Sequence, residues 1–175
     1  MSITRLNLQD FLQLAATNLV LDVRSPGEYA QAHIPNAISL PLFSDEERKI
    51  VGTAYKQESR QKAIKHGLKY FGASMINIVE TVEAMFQYQK QKTQEEKSKV
   101  VLVHCWRGGM RSAAVAWLLD LYGFKVYTLV GGYKAYRHWV LKHFENDYNI
   151  KIIGGYTGSG KTPLLHQLQK NGEKI

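Results

Sequence analysis

One cysteine in 175 residues leaves no partner for an intramolecular disulfide. No run approaches the ~18 apolar residues of a membrane span. The opening Met1-Ser2-Ile3-Thr4-Arg5 lacks the charged-then-apolar layout of a signal peptide. These absences lead to the expectation of a cytoplasmic protein without a membrane partner. Acidic residues are in short supply, 15 against 23 Lys and Arg, for a net charge of +8. That imbalance favours a polyanionic partner, although many soluble proteins are as basic without binding one. There is no internal repeat and no low-complexity tract. No metal site and no tightly bound cofactor are expected.

What is present is enough apolar residue for a core, 45% of the chain, and a length that suits one domain or one domain plus a fragment. Strand-like and helix-like segments alternate, which predicts an α/β fold with a mainly parallel central sheet flanked by helices. Strands are predicted at 19–23, 37–40, 100–104 and 126–130, and helices at 7–16, 112–121 and 133–144. Ser25-Pro26-Gly27-Glu28-Tyr29 opens a short helix. Between residues 44 and 98 no strand is expected. Ser44, followed by Asp45, Glu46 and Glu47, starts one or two helices that end near Gly67, and a further helix spans about Ser74 to Lys90. Lys90 to Lys99 is charged and reads as a solvated helix end or loop. A first domain over 8–145 is followed by a second segment, 149–175.

The chemistry concentrates in Cys105-Trp106-Arg107-Gly108-Gly109-Met110-Arg111, between the buried run Val100 to Val103 and the helix-like Ser112 to Leu119. Backbone N–H groups at such a strand-to-helix turn carry partial positive charge and can hold an anion. The same field, with Arg107 and Arg111 nearby, lowers a thiol pKa from its usual ~8.5 and makes Cys105 a thiolate nucleophile. Gly108 and Gly109 clear the loop floor for amide contact, and Arg111 could fork onto a tetrahedral oxyanion. The plain alternative, an inert buried cysteine, does not explain the paired glycines and arginines. His104, next on the strand, points to the opposite face and reads as a hydrogen-bonded core histidine. Trp106 has two readings of equal weight, stacking on a base and packing on the core. Asp22 and Arg24 read as structural, with Arg24 reaching Glu28, and His33 reads as a hydrogen-bonder in its turn.

Asn149 to Ile153 reads as a final strand leading into Gly155-Tyr156-Thr157-Gly158-Ser159-Gly160-Lys161-Thr162. This fits the phosphate-binding pattern G-x-x-x-x-G-K-[ST], with Gly155, Gly158, Gly160, Lys161 and Thr162 as candidate phosphate ligands. Only 13 residues follow Thr162. They leave no strand for the acidic residue that helps hold magnesium, so a second domain is expected to start here and be cut off. Pro163 falls in the first turn of the next helix, where a missing N–H is tolerated.

Leu21-Asp22-Val23-Arg24-Ser25-Pro26-Gly27-Glu28-Tyr29 with Ala32-His33-Ile34-Pro35-Asn36-Ala37, the segment Val101 to Ser112, and Leu129-Val130-Gly131-Gly132-Tyr133 together resemble three motifs of the rhodanese superfamily. That resemblance implies a rhodanese-like fold with Cys105 carrying a persulfide or perselenide. Cys105 to Ser112, the run from Glu46 to Gln57, and the downstream P-loop are similar to the tRNA 2-selenouridine synthases. The resemblance implies a transferase that replaces sulfur by selenium in wobble 2-thiouridine of tRNA through an S-geranylated intermediate. Selenophosphate and geranyl diphosphate are the implied substrates, and a donor protein for selenium or sulfur is an open partner. It also implies that the P-loop residues here are the start of a truncated domain.

Arg48, Lys49, Lys56, Arg60, Lys62, Lys65 and Lys69 gather in one helical stretch with Tyr55 and Tyr70. Lys56, Arg60 and Lys62 are the candidate tRNA contacts, against a solvated helix face. Three other functions stay open: a general rhodanese sulfurtransferase, a phosphatase or arsenate reductase on the C-x5-R spacing from Cys105 to Arg111, and a non-catalytic tRNA-docking module.

Overall fold

The structure, a computed structural model, describes residues 3–93, 99–148 and 150–174. It falls into two compact units, 1–142 and 143–175.

The first unit is built on five strands: β1 (Thr4–Leu6), β2 (Leu19–Asp22), β3 (Ile38–Ser39), β4 (Val100–His104) and β5 (Lys125–Leu129). They lie in the order β1-β5-β4-β2-β3, and every pairing is parallel. β4 is central, registered through Val101 on Leu19 and Val126. All five of its residues are buried, as a strand covered on both faces requires. Alternate residues feed two cores. Leu19, Leu21, Val101 and Val103 meet α4 and α5 on one face, while Val20, Leu102 and Leu129 meet Phe11 of α1 on the other.

The helices of this unit are α1 (Leu8–Ala15), α2 (Pro26–Gln31), α3 (Asp45–Gln57), α4 (Arg60–Thr93), α5 (Met110–Tyr122) and α6 (Gly132–His143). Asn7 caps α1 through the Asp10 N–H, and Ser44 with Glu47 forms a capping box on α3. Gly123 closes α5 in the left-handed conformation, φ 107°.

Several expectations are corrected. β1 is an edge strand on β5 that three residues alone did not signal, so the first unit begins before residue 8. Gly67 does not end a helix: α4 runs through it and through Gly72. The cost of a helical glycine, roughly 1 kcal/mol, is outweighed here by burial of Phe71, Ile78, Val79 and Val82 in the core on one face of the sheet. α4 therefore merges the two helices expected on either side of Gly67. The charged segment 90–99 is helical to Thr93, and residues 94–98 lie outside the described residues.

In the second unit α7 (Lys161–Lys170) follows a loop in which Gly155, Gly158 and Gly160 have φ of 147°, 84° and 80°. The strand expected at 149–153 is not formed at 150–153, where Ile150, Ile152 and Ile153 stay solvent-accessible. A parallel strand needs neighbours for its backbone groups, and none pairs with it among the described residues. Lys161 turns back onto its own loop, donating to the Gly155 and Tyr156 carbonyls at 2.8 and 2.7 Å.

Candidate active site

β4 delivers Cys105 to the carboxyl edge of the sheet, where open α/β folds bind ligands. The loop 105–109 then turns into α5. Its carbonyls are used on the far side: the Tyr133 N–H donates to Cys105 O at 2.8 Å and the Lys134 N–H to Trp106 O at 2.9 Å. Gly108 has φ 65°, and a Cβ there would lie 2.3 Å from the Leu129 carbonyl; a Cβ on Gly132 would lie 2.3 Å from the Cys105 carbonyl. These glycines lock the loop onto the β5–α6 turn. Nothing lies within 4 Å of a Cβ on Gly109. Gly108 is thus required by the loop's own packing, and the open space lies at Gly109.

The Cys105 side chain is 3% exposed and its sulfur lies 3.3 Å from Ser112 Oγ. Burial alone would raise the thiol pKa. The Ser112 hydroxyl and N–H, the Arg111 charge and the Gly109 N–H together outweigh it and hold the pKa below the ordinary value. Sequence reasoning did not single out Ser112. Its signal was a hydroxyl in the first turn of the helix that receives the cysteine.

Arg111 does not stand free for an oxyanion. Its Nη1 donates to Glu28 Oε2 at 2.6 Å and Nη2 to Oε1 at 3.4 Å. Arg48 Nε joins the same carboxylate at 3.0 Å. Partial burial pushes Glu28 up, but Arg111, the Ser25 N–H and Arg48 bring its pKa down to about 2. The expected Arg24–Glu28 contact is absent. Arg24 is buried and forks onto Asp22 at 2.6–2.9 Å, with a further bond to the Ala32 carbonyl. Three side-chain bonds from Arg24 to Asp22 explain the choice: Asp22 is two residues away and equally dry. His104 is buried in the core as expected, yet neither ring nitrogen has a hydrogen-bond partner. Its Nε2 lies 3.8 Å from Asp22 Oδ2, too far for one. His33 accepts its structural role, with Nδ1 3.0 Å from the Tyr29 carbonyl and its ring stacked on Tyr29.

Cys105 opens into a cavity of about 620 Å³. One wall is the loop itself: Trp106, Arg107, Gly109, Met110 and Arg111. The other comes from the β3–α3 connection, α3 and α4, with Leu42, Phe43, Val51, Ile64, Leu68 and Phe71. Arg48, Lys49 and Lys56 line it as well. The apolar wall was invisible at the sequence level, because it joins segments more than thirty residues from the cysteine. Of the three candidate tRNA contacts, Lys56 lines the cavity while Arg60 and Lys62 do not. Lys62 is paired with Glu58 at 2.8 Å. Trp106 is half-buried and packs on Tyr133 at 5.7 Å between centroids. Among the described residues no group of three His, Cys, Asp or Glu side chains could hold a metal ion, and no helix is long and apolar enough to cross a membrane.

Known proteins are similar to this chain. The tRNA 2-selenouridine synthase of Sulfurovum sp. (strain NBC37-1) is 36% identical over 165 residues, covering 91% of this chain and 43% of that protein. The enzyme of that name from Hydrogenovibrio crunogenus is 37% identical over 169 residues, with 91% and 44% covered. The chain thus spans less than half the length of these relatives. A crystal structure of the N-terminal domain of a provisionally described ATP/GTP binding protein from Clostridium difficile 630 superposes with a TM-score of 0.68 at 35% identity, covering 80% of this chain and 99% of that one. The family profile of the rhodanese-like domain matches residues 7–138, from the cap of α1 into α6 and across the whole cysteine loop. On that match the chain belongs to the rhodanese-like family.

Proposed function

We propose that this chain is the cysteine-bearing part of a transferase that replaces sulfur by selenium in wobble 2-thiouridine of tRNA, with Cys105 carrying the selenium. One observation carries the reading most directly. A thiol of lowered pKa sits at the floor of a cavity, with the Ser112 hydroxyl and two backbone N–H groups trained on its sulfur. Such a thiolate attacks a terminal chalcogen, forming a new bond to it. The bond from that chalcogen to the donor breaks and its electron pair leaves on the donor, as phosphite from selenophosphate or sulfite from thiosulfate, so the donor atom is reduced as the new sulfur–chalcogen bond is made. The amide and hydroxyl donors then stabilise the more acidic, softer selenolate.

Selenophosphate is the proposed donor, and the basic groups Arg48, Lys49 and Lys56 at the cavity suit its charge. The apolar wall suits the hydrocarbon of an S-geranylated uridine, the intermediate formed from geranyl diphosphate. Gly155, Gly158, Gly160, Lys161 and Thr162 are proposed to bind phosphate once Lys161 leaves its loop carbonyls. Lys56 and Arg60 are proposed tRNA contacts. The phosphatase alternative is weakened by Glu28: its carboxylate already takes both terminal nitrogens of Arg111 and would repel a phosphate dianion.

Mass spectrometry of the protein after exposure to selenophosphate is expected to show one selenium on Cys105 and none in Cys105→Ser. No adduct, or an adduct that survives the substitution, overturns the assignment. Thiocyanate release from thiosulfate and cyanide without selenium loading would instead identify a general sulfurtransferase.

A further inference from the structure

A row of aromatic rings leaves the cysteine loop and climbs α6. Trp106 lies 5.7 Å from Tyr133, Tyr133 5.9 Å from Tyr136, and Tyr136 6.1 Å from Trp139, each pair tilted by 31–42°. Underneath, the buried Arg24 guanidinium sits 4.0 Å from the Tyr133 ring centre, itself fixed by Asp22. The three residues on the helix are spaced by three. A helix turns about 100° per residue, so this spacing drifts by about 60° at each step. The row therefore rotates outward, from buried Tyr133 through half-buried Tyr136 to Trp139, which is 41% exposed. Its other end, Trp106, lines the cavity that holds Cys105.

Charge singles out the same helix. α6 reads Gly-Tyr-Lys-Ala-Tyr-Arg-His-Trp-Val-Leu-Lys-His, with no acidic residue, and Lys134, Arg137 and Lys142 are exposed.

We infer that this row is a stacking platform for unpaired nucleotides, with the α6 cations holding their phosphates, and that it leads single-stranded RNA toward Cys105. Ring centroids about 6 Å apart leave no room for a base between them, so a base stacks at the exposed Trp139 end, which the buried part of the row holds rigid. Stacking of this kind is tolerant of sequence and selects unpaired over paired strands. The inference rests on the reading that the substrate is tRNA, whose wobble uridine lies in an unpaired loop. It assigns the nucleotides beside that uridine to α6, separate from the contacts proposed on α3 and α4.

Fluorescence anisotropy of a short labelled single-stranded RNA, and of the same strand in a duplex, tests it. Trp139→Ala is expected to weaken the single strand about tenfold, the value of one stacked base, and to leave the slope of affinity against salt unchanged. Trp139→Phe is expected to retain most of the affinity. Lys134→Ala with Arg137→Ala should instead reduce the salt slope. Unchanged binding by Trp139→Ala with a wild-type melting curve overturns the platform, as does equal affinity for the duplex. If the ladder variants lose RNA while selenium never loads Cys105, the platform stands and the selenium reading falls. If selenium loads and the variants bind as wild type, the platform falls and that reading stands.

Discussion

His104 is a titratable ring sealed in a dry core, 6.2 Å edge-on from Phe11, and the molecule responds to acid accordingly. Burial holds its pKa down to about 4 from 6.5, with Asp22 opposing and Arg24 assisting. The unfolded chain takes up this proton near pH 6.5, whereas the folded chain does not until about pH 4. Stability is therefore complete above 6.5 and falls as the pH drops toward 4, by up to ~3 kcal/mol. Denaturant melts of wild type and His104→Leu should diverge across that window and run parallel above it. Curves that stay parallel to pH 4 would refute the argument. The sulfur offers a second residue-level test. Ser112→Ala removes one donor to Cys105 and is expected to move the pH profile of iodoacetamide alkylation upward. The rate at neutral pH should fall about fivefold, the worth of one hydrogen bond. A profile that does not move would mean that Ser112 is a bystander bonded to the Gly109 carbonyl.

At the level of elements, two glycines make opposite demands under the same substitution. Gly108→Ala forces an alanine into φ 65° and drives its Cβ toward the Leu129 carbonyl, so a loss of about 2 kcal/mol or more is expected. Gly72 lies inside α4 with open space around a Cβ, so Gly72→Ala should add roughly 0.5–1 kcal/mol. Urea midpoints of the two variants check both signs, and a destabilised Gly72→Ala would show that the glycine has a role of its own. The same contrast explains what could be read from the chain. Continuous apolar runs placed β2, β4 and β5, and the Ser44 and Gly123 caps fixed helix ends to within a residue or two. A glycine's meaning depends on what stands beside it: Gly67 reads as a stop in sequence, yet it lies within α4, where a Cβ would stand 3.4 Å from the Phe43 ring. Residues 150–153 failed as a strand for a related reason: pattern gives the propensity, but neighbours give the hydrogen bonds. The cysteine loop was legible through its flanks. Its ion pairs were not, because Arg111 and Glu28 are 83 residues apart in sequence.

Across the whole molecule, the parallel sheet with β4 at its centre explains why one short loop can govern the site. β2 and β5 flank β4, the turns after all three converge, and Asp22, Arg24, Cys105 and Gly131 meet at one edge. The crossover from β3 to β4 is different in kind. It spans residues 40–99 and contributes no strand among the described residues, yet α3 and α4 supply the apolar wall of the cavity and one side of the core. Reactivity and ligand choice are thereby carried on separate stretches of chain: the 105–112 turn sets how acidic the sulfur is, while the crossover sets what shape may approach it. Relatives built on this plan can drift in the crossover, and so exchange one guest for another, without re-inventing the chemistry at its floor.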